Sequence, residues 1–328
     1  MTTRSPGTRS TSHERGHLMK RRDFLSRAAS LGLGAGFARR TPASTQRHRV
    51  PTYYDTRKLY RVGVSSNSFR NYFPATRSKR FNLPGPALAL LDFPQMMADR
   101  YEVHNLEFLA AHFASTEAAY VIELRRQLGR LRSRLINIQV DGPELNSGGG
   151  LSDRNPAVRG AAVDAVKKWI GVARSLSARS VCAGPGNMNP ADLTPTVEAY
   201  RQLVAYARPR EIRILVENRQ GLEPDEMLTV IRGVGGYFIG ALPDFGGFAN
   251  EAARVAGLRA LFPHAPALCH AVGVAFDEVG NEKAFDFQGC LEISKQLRFR
   301  GIYSVDYKGT GDPYQGVQNV INELIREL

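Results

Sequence analysis

The chain has 328 residues, three cysteines and a formal net charge of +13, a charge typical of nucleic-acid-binding proteins. The excess is concentrated near the start, because residues 1–50 contribute +9 and the rest of the chain only +4. So small an excess after residue 50 argues against a nucleic-acid partner. Three cysteines without a Cys-x-x-Cys spacing also argue against a disulfide framework and a thiolate zinc site.

The basic N-terminal segment contains Lys20-Arg21-Arg22-Asp23-Phe24-Leu25, which resembles a twin-arginine export signal. The mildly apolar stretch that follows, 28–38, is much shorter than the ~20 residues that span a bilayer. We therefore predict that residues 1–50 are a removable signal peptide and linker without a stable membrane anchor, starting at Met1 or Met19. The resemblance implies the twin-arginine translocase as a partner and a periplasmic or exported location. A disordered basic tail is the alternative.

Residues 51–328 alternate between two patterns. Short apolar segments rich in β-branched and aromatic residues predict eight strands, at 60–65, 103–108, 135–140, 180–183, 212–217, 237–242, 267–271 and 301–306. Apolar residues three and four apart predict helices at 116–133, 155–177, 195–207, 224–233, 249–261, 286–297 and 315–328. Such alternation predicts an α/β fold, a single-domain (β/α)8 TIM barrel over 51–328. The segments 67–90 and 143–155 are predicted loops, the first covering the barrel mouth.

Each of the last four predicted strands ends on, or just before, a residue that commonly binds metals. The four residues are Glu217, Asp244, His270 and Asp306. In a closed barrel the carboxyl ends of the strands meet at one mouth, so these side chains are expected to converge. Carboxylate oxygens with one imidazole suit a single divalent ion, and we predict Mn, Co, Zn or Mg as the cofactor.

The motifs around these residues resemble the xylose isomerase-like TIM barrel superfamily of sugar phosphate isomerases and epimerases. They are Val216-Glu217-Asn218, Pro243-Asp244-Phe245-Gly246, Cys269-His270-Ala271 and Val305-Asp306-Tyr307, with Asn105-Leu106-Glu107-Phe108 on the second strand. The resemblance covers roughly residues 60 to 328. It implies that Glu217, Asp244, His270 and Asp306 surround one divalent metal ion.

The chain departs from the pattern of that superfamily at three places. Asp306 stands where Glu is usual, and Gly247 stands where ketose epimerases place a His. Val272-Gly273-Val274 replaces the usual Lys-Asp pair after His270. These departures leave the particular substrate open, and with it the choice between isomerisation and another reaction.

The chemistry that these residues imply is proton transfer next to a carbonyl group. A bound cation polarises a sugar carbonyl and stabilises an enediolate, and Glu217 and Asp306 are the predicted catalytic acid and base on its two faces. Asp244 and His270 are assigned to metal binding alone. We therefore predict a metal-dependent sugar or keto-sugar isomerase or epimerase. The alternatives are a lyase that cleaves oxidised (3-keto) glycosides by elimination and a non-catalytic sugar-binding barrel.

The remaining candidates are predicted to contact a carbohydrate substrate. All follow a strand or lie at its end, where their side chains are expected to reach the mouth: Asn67, Glu107, His112, Asn218, Arg219 and Lys308. Glu107 has a second interpretation, in which it orients a metal ligand from behind. For Lys308 the alternative is an exposed surface side chain, and for any single carboxylate it is a salt bridge or a helix cap. Whether the protein forms a homo-oligomer stays open.

Overall fold

Eight parallel strands form the centre of the molecule and confirm the predicted TIM barrel. The computed structural model describes residues 56–146, 148–219 and 221–328, so the predicted signal peptide and the division near residue 50 lie outside the described residues. The strands are β1 (Val62–Ser65), β2 (Asn105–Leu109), β3 (Arg134–Val140), β4 (Ser180–Ala183), β5 (Arg213–Glu217), β6 (Ile239–Leu242), β7 (Leu268–Gly273) and β8 (Ile302–Tyr307).

The strands pair in the order β6-β5-β4-β3-β2-β1-β8-β7, each parallel to its neighbour. The circle closes between β6 and β7 through a parallel bridge that joins Asp244 to His270. His270 N donates to Pro243 O over 2.8 Å, and Phe245 N donates to His270 O over 3.2 Å. The barrel therefore closes through the backbone of two of the predicted metal ligands. The distance between Asp244 and His270 is consequently fixed by the hydrogen bonds that close the barrel.

Ten α-helices lie in the described part of the chain. They are α1 (Thr56–Leu59), α2 (Phe93–Tyr101), α3 (Ala118–Arg130), α4 (Pro143–Asn146), α5 (Pro156–Ser175), α6 (Thr194–Ala207), α7 (Pro224–Val234), α8 (Glu251–Leu261), α9 (Phe287–Gln296) and α10 (Pro313–Glu327). All seven predicted helices are present with boundaries close to those expected. The longest, α5, begins with Pro156 after Asn155, whose side chain accepts from Ala157 N and caps the helix.

The structure adds helices that the sequence pattern did not indicate. Helix α2 follows the loop predicted at 67–90 and buries Phe93, Met97 and Tyr101, which are spaced four residues apart. That spacing covers barely two turns, too little for a period of 3.6 to be recognised. The predicted loop at 143–155 contains the four-residue helix α4 and a short 3-10 turn at Gly150–Ser152. Within the described residues no helix is long and apolar enough to cross a membrane.

The inside of the barrel has an apolar floor beneath its polar mouth. The floor is a small buried cluster that is separate from the main core between sheet and helices, and it comprises Ile136, Cys182, Leu215, Leu242 and Leu268. Side chains two residues apart on a strand point to the same face. Three of these residues therefore place the residue two positions later directly above the floor: Glu217 after Leu215, Asp244 after Leu242 and His270 after Leu268.

Candidate metal centre

Glu217, Asp244 and His270 meet at the mouth of the barrel. Each offers one ligand atom, and the three atoms lie within 4.8 Å of one another. His270 Nδ1 is 2.8 Å from Glu217 Oε1 and 3.4 Å from Asp244 Oδ2. The imidazole is fully buried, whereas 17% of the Glu217 side chain is exposed. One imidazole nitrogen with two carboxylates is a donor set that fits a divalent cation and leaves room for further oxygen ligands.

Glu107 lies behind His270, on the side away from the other two ligands. Its two oxygens are 3.1 and 3.0 Å from His270 Nε2. They also accept from Asn137 Nδ2 and Ser304 Oγ, each over 2.6 Å. Glu107 is completely buried, and its carboxylate contacts His270 and two polar neighbours rather than facing the mouth. A carboxylate in this position keeps the proton on Nε2 and leaves Nδ1 for a metal ion.

Asp306 lies at the same mouth but outside the group of three. Asn67 Nδ2 donates to both of its oxygens, over 3.0 and 3.3 Å. Lys308 Nζ is 3.6 Å from Asp306 Oδ2 and 2.7 Å from Asp244 Oδ2, so its ammonium group bridges the two carboxylates. The structure therefore places Asn67 and Lys308 at the mouth, where they hold carboxylates, and Lys308 is only 38% exposed. Asp306 as fourth ligand stays a prediction.

Asn218 braces Asp244 through the backbone. Its Oδ1 accepts from Asp244 N over 2.7 Å and its Nδ2 donates to Asp244 O over 3.1 Å, which joins the ends of β5 and β6. A β-carbon at Gly247 would lie only 2.5 Å from Asn218 Nδ2 and 2.6 Å from Asn218 O. The position of the Asn218 amide therefore requires glycine at 247, and a histidine at 247 would displace Asn218.

Two further candidates anchor loops. His112 Nδ1 is 2.8 Å from Ser66 Oγ, and its Nε2 is 2.9 Å from Thr76 Oγ1, so both ring nitrogens have protein partners. The ring stacks on Phe73, and burial lowers the pKa of His112 to about 3, which keeps it neutral. Arg219 is exposed and donates to Gly186 O over 3.1 Å, which ties it to the loop after β4.

Burial and charge act in opposite directions on the groups at the mouth. Burial raises the pKa of Glu217, and nearby His270 offsets only part of that rise. Burial alone would lower the pKa of His270, but Glu107 and Glu217 raise it well above its usual range. Burial would raise the pKa of Asp244, yet Lys308 and His270 hold it low. Burial likewise disfavours the Lys308 cation, but Asp244, Asp306 and Glu217 raise its pKa.

These groups leave the mouth rich in negative charge. Among the residues that the structure describes, four carboxyl groups, those of Glu107, Glu217, Asp244 and Asp306, face two cationic groups, His270 and Lys308. An excess of buried carboxylates is stabilised by a bound cation, which can be the largest local charge of such a site.

Several polar residues of this centre were not found from the sequence. Gln139 Nε2 donates to Glu217 Oε2 over 2.9 Å, and its Oε1 is buried without a partner among the described residues. Asn137 and Ser304 complete the surroundings of Glu107. The available signal was a period of two: Asn137 and Gln139 on β3, and Ser304 and Asp306 on β8, are polar residues two apart in otherwise apolar strands.

Comparisons with known proteins agree with this architecture. The family model described as "Xylose isomerase-like TIM barrel" matches residues 102–326, more than half of the chain, so the chain belongs to this family. No curated protein matches the sequence. Among solved structures, a D-tagatose 3-epimerase-like protein is 17% identical with a TM-score of 0.62, covering 81% of this chain and 97% of its own.

Two other solved structures share the fold. A xylose isomerase-like TIM barrel protein from Mycobacterium smegmatis, in complex with magnesium, is 15% identical with a TM-score of 0.56, covering 81% of this chain and 97% of its own. The 3-keto-D-glucoside 4-epimerase from E. coli is 11% identical with a TM-score of 0.58, covering 80% of this chain and 98% of its own. At such identities the likeness establishes the fold. The structural neighbours include sugar epimerases, and this chain has a possible metal-binding triad at its barrel mouth.

Proposed function

We propose that the protein is a divalent-metal-dependent isomerase or epimerase of a sugar or keto-sugar. One observation carries the proposal: the buried His270 has Glu107 at one ring nitrogen and Glu217 with Asp244 at the other. A purely structural histidine needs one partner for each nitrogen, whereas here three carboxylates surround a single ring above an apolar floor. Belonging to a family of sugar isomerase-like barrels supports the same conclusion.

Glu217, Asp244 and His270 would hold the metal ion, and Asp306 is the proposed fourth ligand. When bound, a divalent cation polarises a substrate carbonyl and makes the neighbouring C–H group more acidic. Mn, Co, Zn and Mg all accept this donor set, because it combines hard oxygens with one borderline nitrogen.

Glu217 is the proposed base on one face of the substrate. The Gln139 amide fixes the direction of its Oε2 over 2.9 Å, which positions this carboxylate for proton transfer. Asp306 is the proposed acid–base group on the other face, because it projects from β8, three strands away from β5 around the closed barrel through β6 and β7. Asn67 and Lys308 hold its carboxylate in place. Epimerisation requires such a pair, since the proton must leave one face and return to the other.

The substrate is proposed to be a carbohydrate that meets polar groups around the mouth. The buried Gln139 Oε1 has no described partner and can accept from a substrate hydroxyl. Lys308 and Asn67 can donate to substrate oxygens beside Asp306. The exported location that the twin-arginine motif predicts would favour an unphosphorylated sugar.

A lyase acting on 3-keto glycosides is the second candidate, and Lys308 is the observation that favours it. Elimination begins with the same proton abstraction next to a carbonyl, but the departing oxygen must also be stabilised. The Lys308 ammonium, 3.6 Å from Asp306 Oδ2, can donate a hydrogen bond to that oxygen as the C–O bond breaks.

The proposal is tested first by elemental mass spectrometry of purified protein. Wild type is expected to carry about one divalent ion per chain, and Glu217→Gln and His270→Ala to lose it. Glu323→Gln is the matched control, because Glu323 is also a buried carboxyl group but lies on α10, away from the mouth. If the reconstituted protein binds no metal but still binds sugar, the enzyme proposal fails and the protein is a non-catalytic sugar-binding barrel.

The reaction is then identified in D2O by NMR with keto-sugars and 3-keto glycosides. Uptake of deuterium at the carbon next to the carbonyl with an isomeric product supports the epimerase. A released aglycone identifies the lyase, and the absence of exchange from a metal-loaded protein contradicts proton abstraction.

A further inference from the structure

The end of the barrel opposite the metal centre contains a large basic cavity. It has a volume of about 880 Å³ and is lined by the segments that lead into β4, β5, β6, β7 and β8. A neighbouring cavity of about 350 Å³ shares Arg213 and Tyr237 with it. Arg213 begins β5 and Glu217 ends it, so the two ends are separated by about 13 Å along the strand. We call this surface the N-terminal face.

Six arginines line the two cavities, among mostly apolar residues. They are Arg174, Arg179, Arg213, Arg232, Arg298 and Arg300. Within the described part of the chain, Glu211 is the only carboxylate that lines either cavity, and its Oε2 is already 3.2 Å from Arg174 Nη1. Arg213 lies over the Tyr237 ring at 3.8 Å. Arg179, Arg298 and Arg300 have no side-chain hydrogen bond, ion pair or ring contact among the residues that the structure describes.

This concentration is unusual for a chain whose residues after position 50 carry an excess of only +4. Some arginines elsewhere on the barrel are paired with carboxylates, as in the Arg126–Glu123 pair on α3. Uncompensated guanidinium groups around one concavity repel each other, and an anion between them removes that repulsion. The planar guanidinium fork matches phosphate and carboxylate groups, and the cavity volume is in the range of small-molecule sites.

We propose that the N-terminal face binds a small organic anion with two or more phosphate or carboxylate groups. Arg179 and Arg300, which precede β4 and β8, contact it from two sides, and the exposed Tyr237 with its stacked Arg213 forms a flat wall. The site is separate from the metal centre and does not depend on the proposed function.

The test is isothermal titration of the full chain with tripolyphosphate and, in parallel, with citrate, at physiological ionic strength. Wild type is expected to bind at least one of them, and the double variant Arg179→Ala/Arg300→Ala to bind about tenfold more weakly or worse. The matched control is Arg125→Ala/Arg126→Ala, which removes the same charge from the exposed face of α3 and should stay within about twofold of wild type. Stronger binding of tripolyphosphate than of citrate assigns phosphate as the ligand group, and the reverse assigns carboxylate.

Because both probes also chelate metal ions, Glu217→Gln is titrated as well. Unchanged binding by this variant places the anion at the N-terminal face, whereas loss of binding places it at the metal centre and overturns the proposal. The proposal also fails if wild type binds neither probe or if both double variants weaken binding equally. Circular dichroism confirms that the arginine variants are folded, which is expected for Arg179→Ala/Arg300→Ala because neither guanidinium has a described partner.

Discussion

Replacing Glu107 with Gln tests whether this carboxylate positions the metal ligand His270. Glu107 accepts from His270 Nε2 at 3.0 Å and from Asn137 and Ser304 at 2.6 Å. Glutamine has nearly the same shape but no charge, and one of its two terminal groups is a donor that faces another donor. The imidazole then loses the acceptor that keeps the proton on Nε2 and the ring in place.

The magnitude follows from the kind of interaction that is lost. Loss of a carboxylate behind a ligating histidine weakens metal binding about 10- to 100-fold, or about 1.4 to 2.7 kcal/mol. The charged hydrogen bonds that are lost destabilise the fold by about 1.5–3 kcal/mol. Glu107→Ala removes the partner of a buried cation altogether and is expected to cost about 3–5 kcal/mol.

The assay is a competition titration with a chelating dye, using Mn²⁺ and Zn²⁺, together with urea unfolding of each apo-protein. Glu323→Gln controls for the general effect of neutralising a buried carboxylate, since Glu323 is only 2% exposed and lies on α10. Unchanged metal affinity in a folded Glu107→Gln variant refutes the positioning role. If that variant instead raises KM while it binds metal normally, Glu107 contacts substrate, as the sequence pattern first indicated.

Three further changes test the surroundings of the centre. The pKa of His112 is about 3 in the fold and about 6.5 when unfolded, so the neutral ring contributes stability above pH 6.5 that is lost as pH falls towards 3. The His112 contribution to the free energy of unfolding should therefore fall by about 2 kcal/mol between pH 8 and pH 5, measured as the difference between wild type and His112→Gln. Gly247→Ala puts a β-carbon 2.5 Å from Asn218 Nδ2 and should weaken metal binding by shifting Asp244. Lys308→Met removes a cation 2.7 Å from Asp244 and should strengthen metal binding roughly threefold or more while lowering turnover.

Each of these changes has a control and a contradicting result. For His112 the comparison is the pH slope of His104→Gln, because His104 is exposed; equal slopes for the two variants refute the assignment. Gly160→Ala has open space around its β-carbon and should leave metal binding unchanged, so equal effects at 160 and 247 contradict the steric argument. Weaker metal binding in Lys308→Met would mean that the ammonium orders Asp244 rather than competing with the cation.

Much of the fold could be predicted because its signals are local. Strand and helix periods recur within a few residues, and eight alternations leave a closed barrel as the natural arrangement of a parallel sheet. The positions of Glu217, Asp244 and His270 followed from the same rule, since residues at strand ends converge in any barrel. Helix α2 was missed because its three buried side chains span too few turns to define a period.

The partners of the site residues were decided only by the tertiary structure. Glu107 contacts His270 across 163 positions of the chain, and Asn67 contacts Asp306 across 239. Nothing in the local sequence distinguishes a carboxylate that faces the mouth from one that lies behind a histidine. The same holds for Lys308, which could equally have pointed to solvent. These pairings depend on the register between strands and on closure at the Asp244–His270 bridge, which fix how deep in the barrel each side chain lies and which neighbours it can reach.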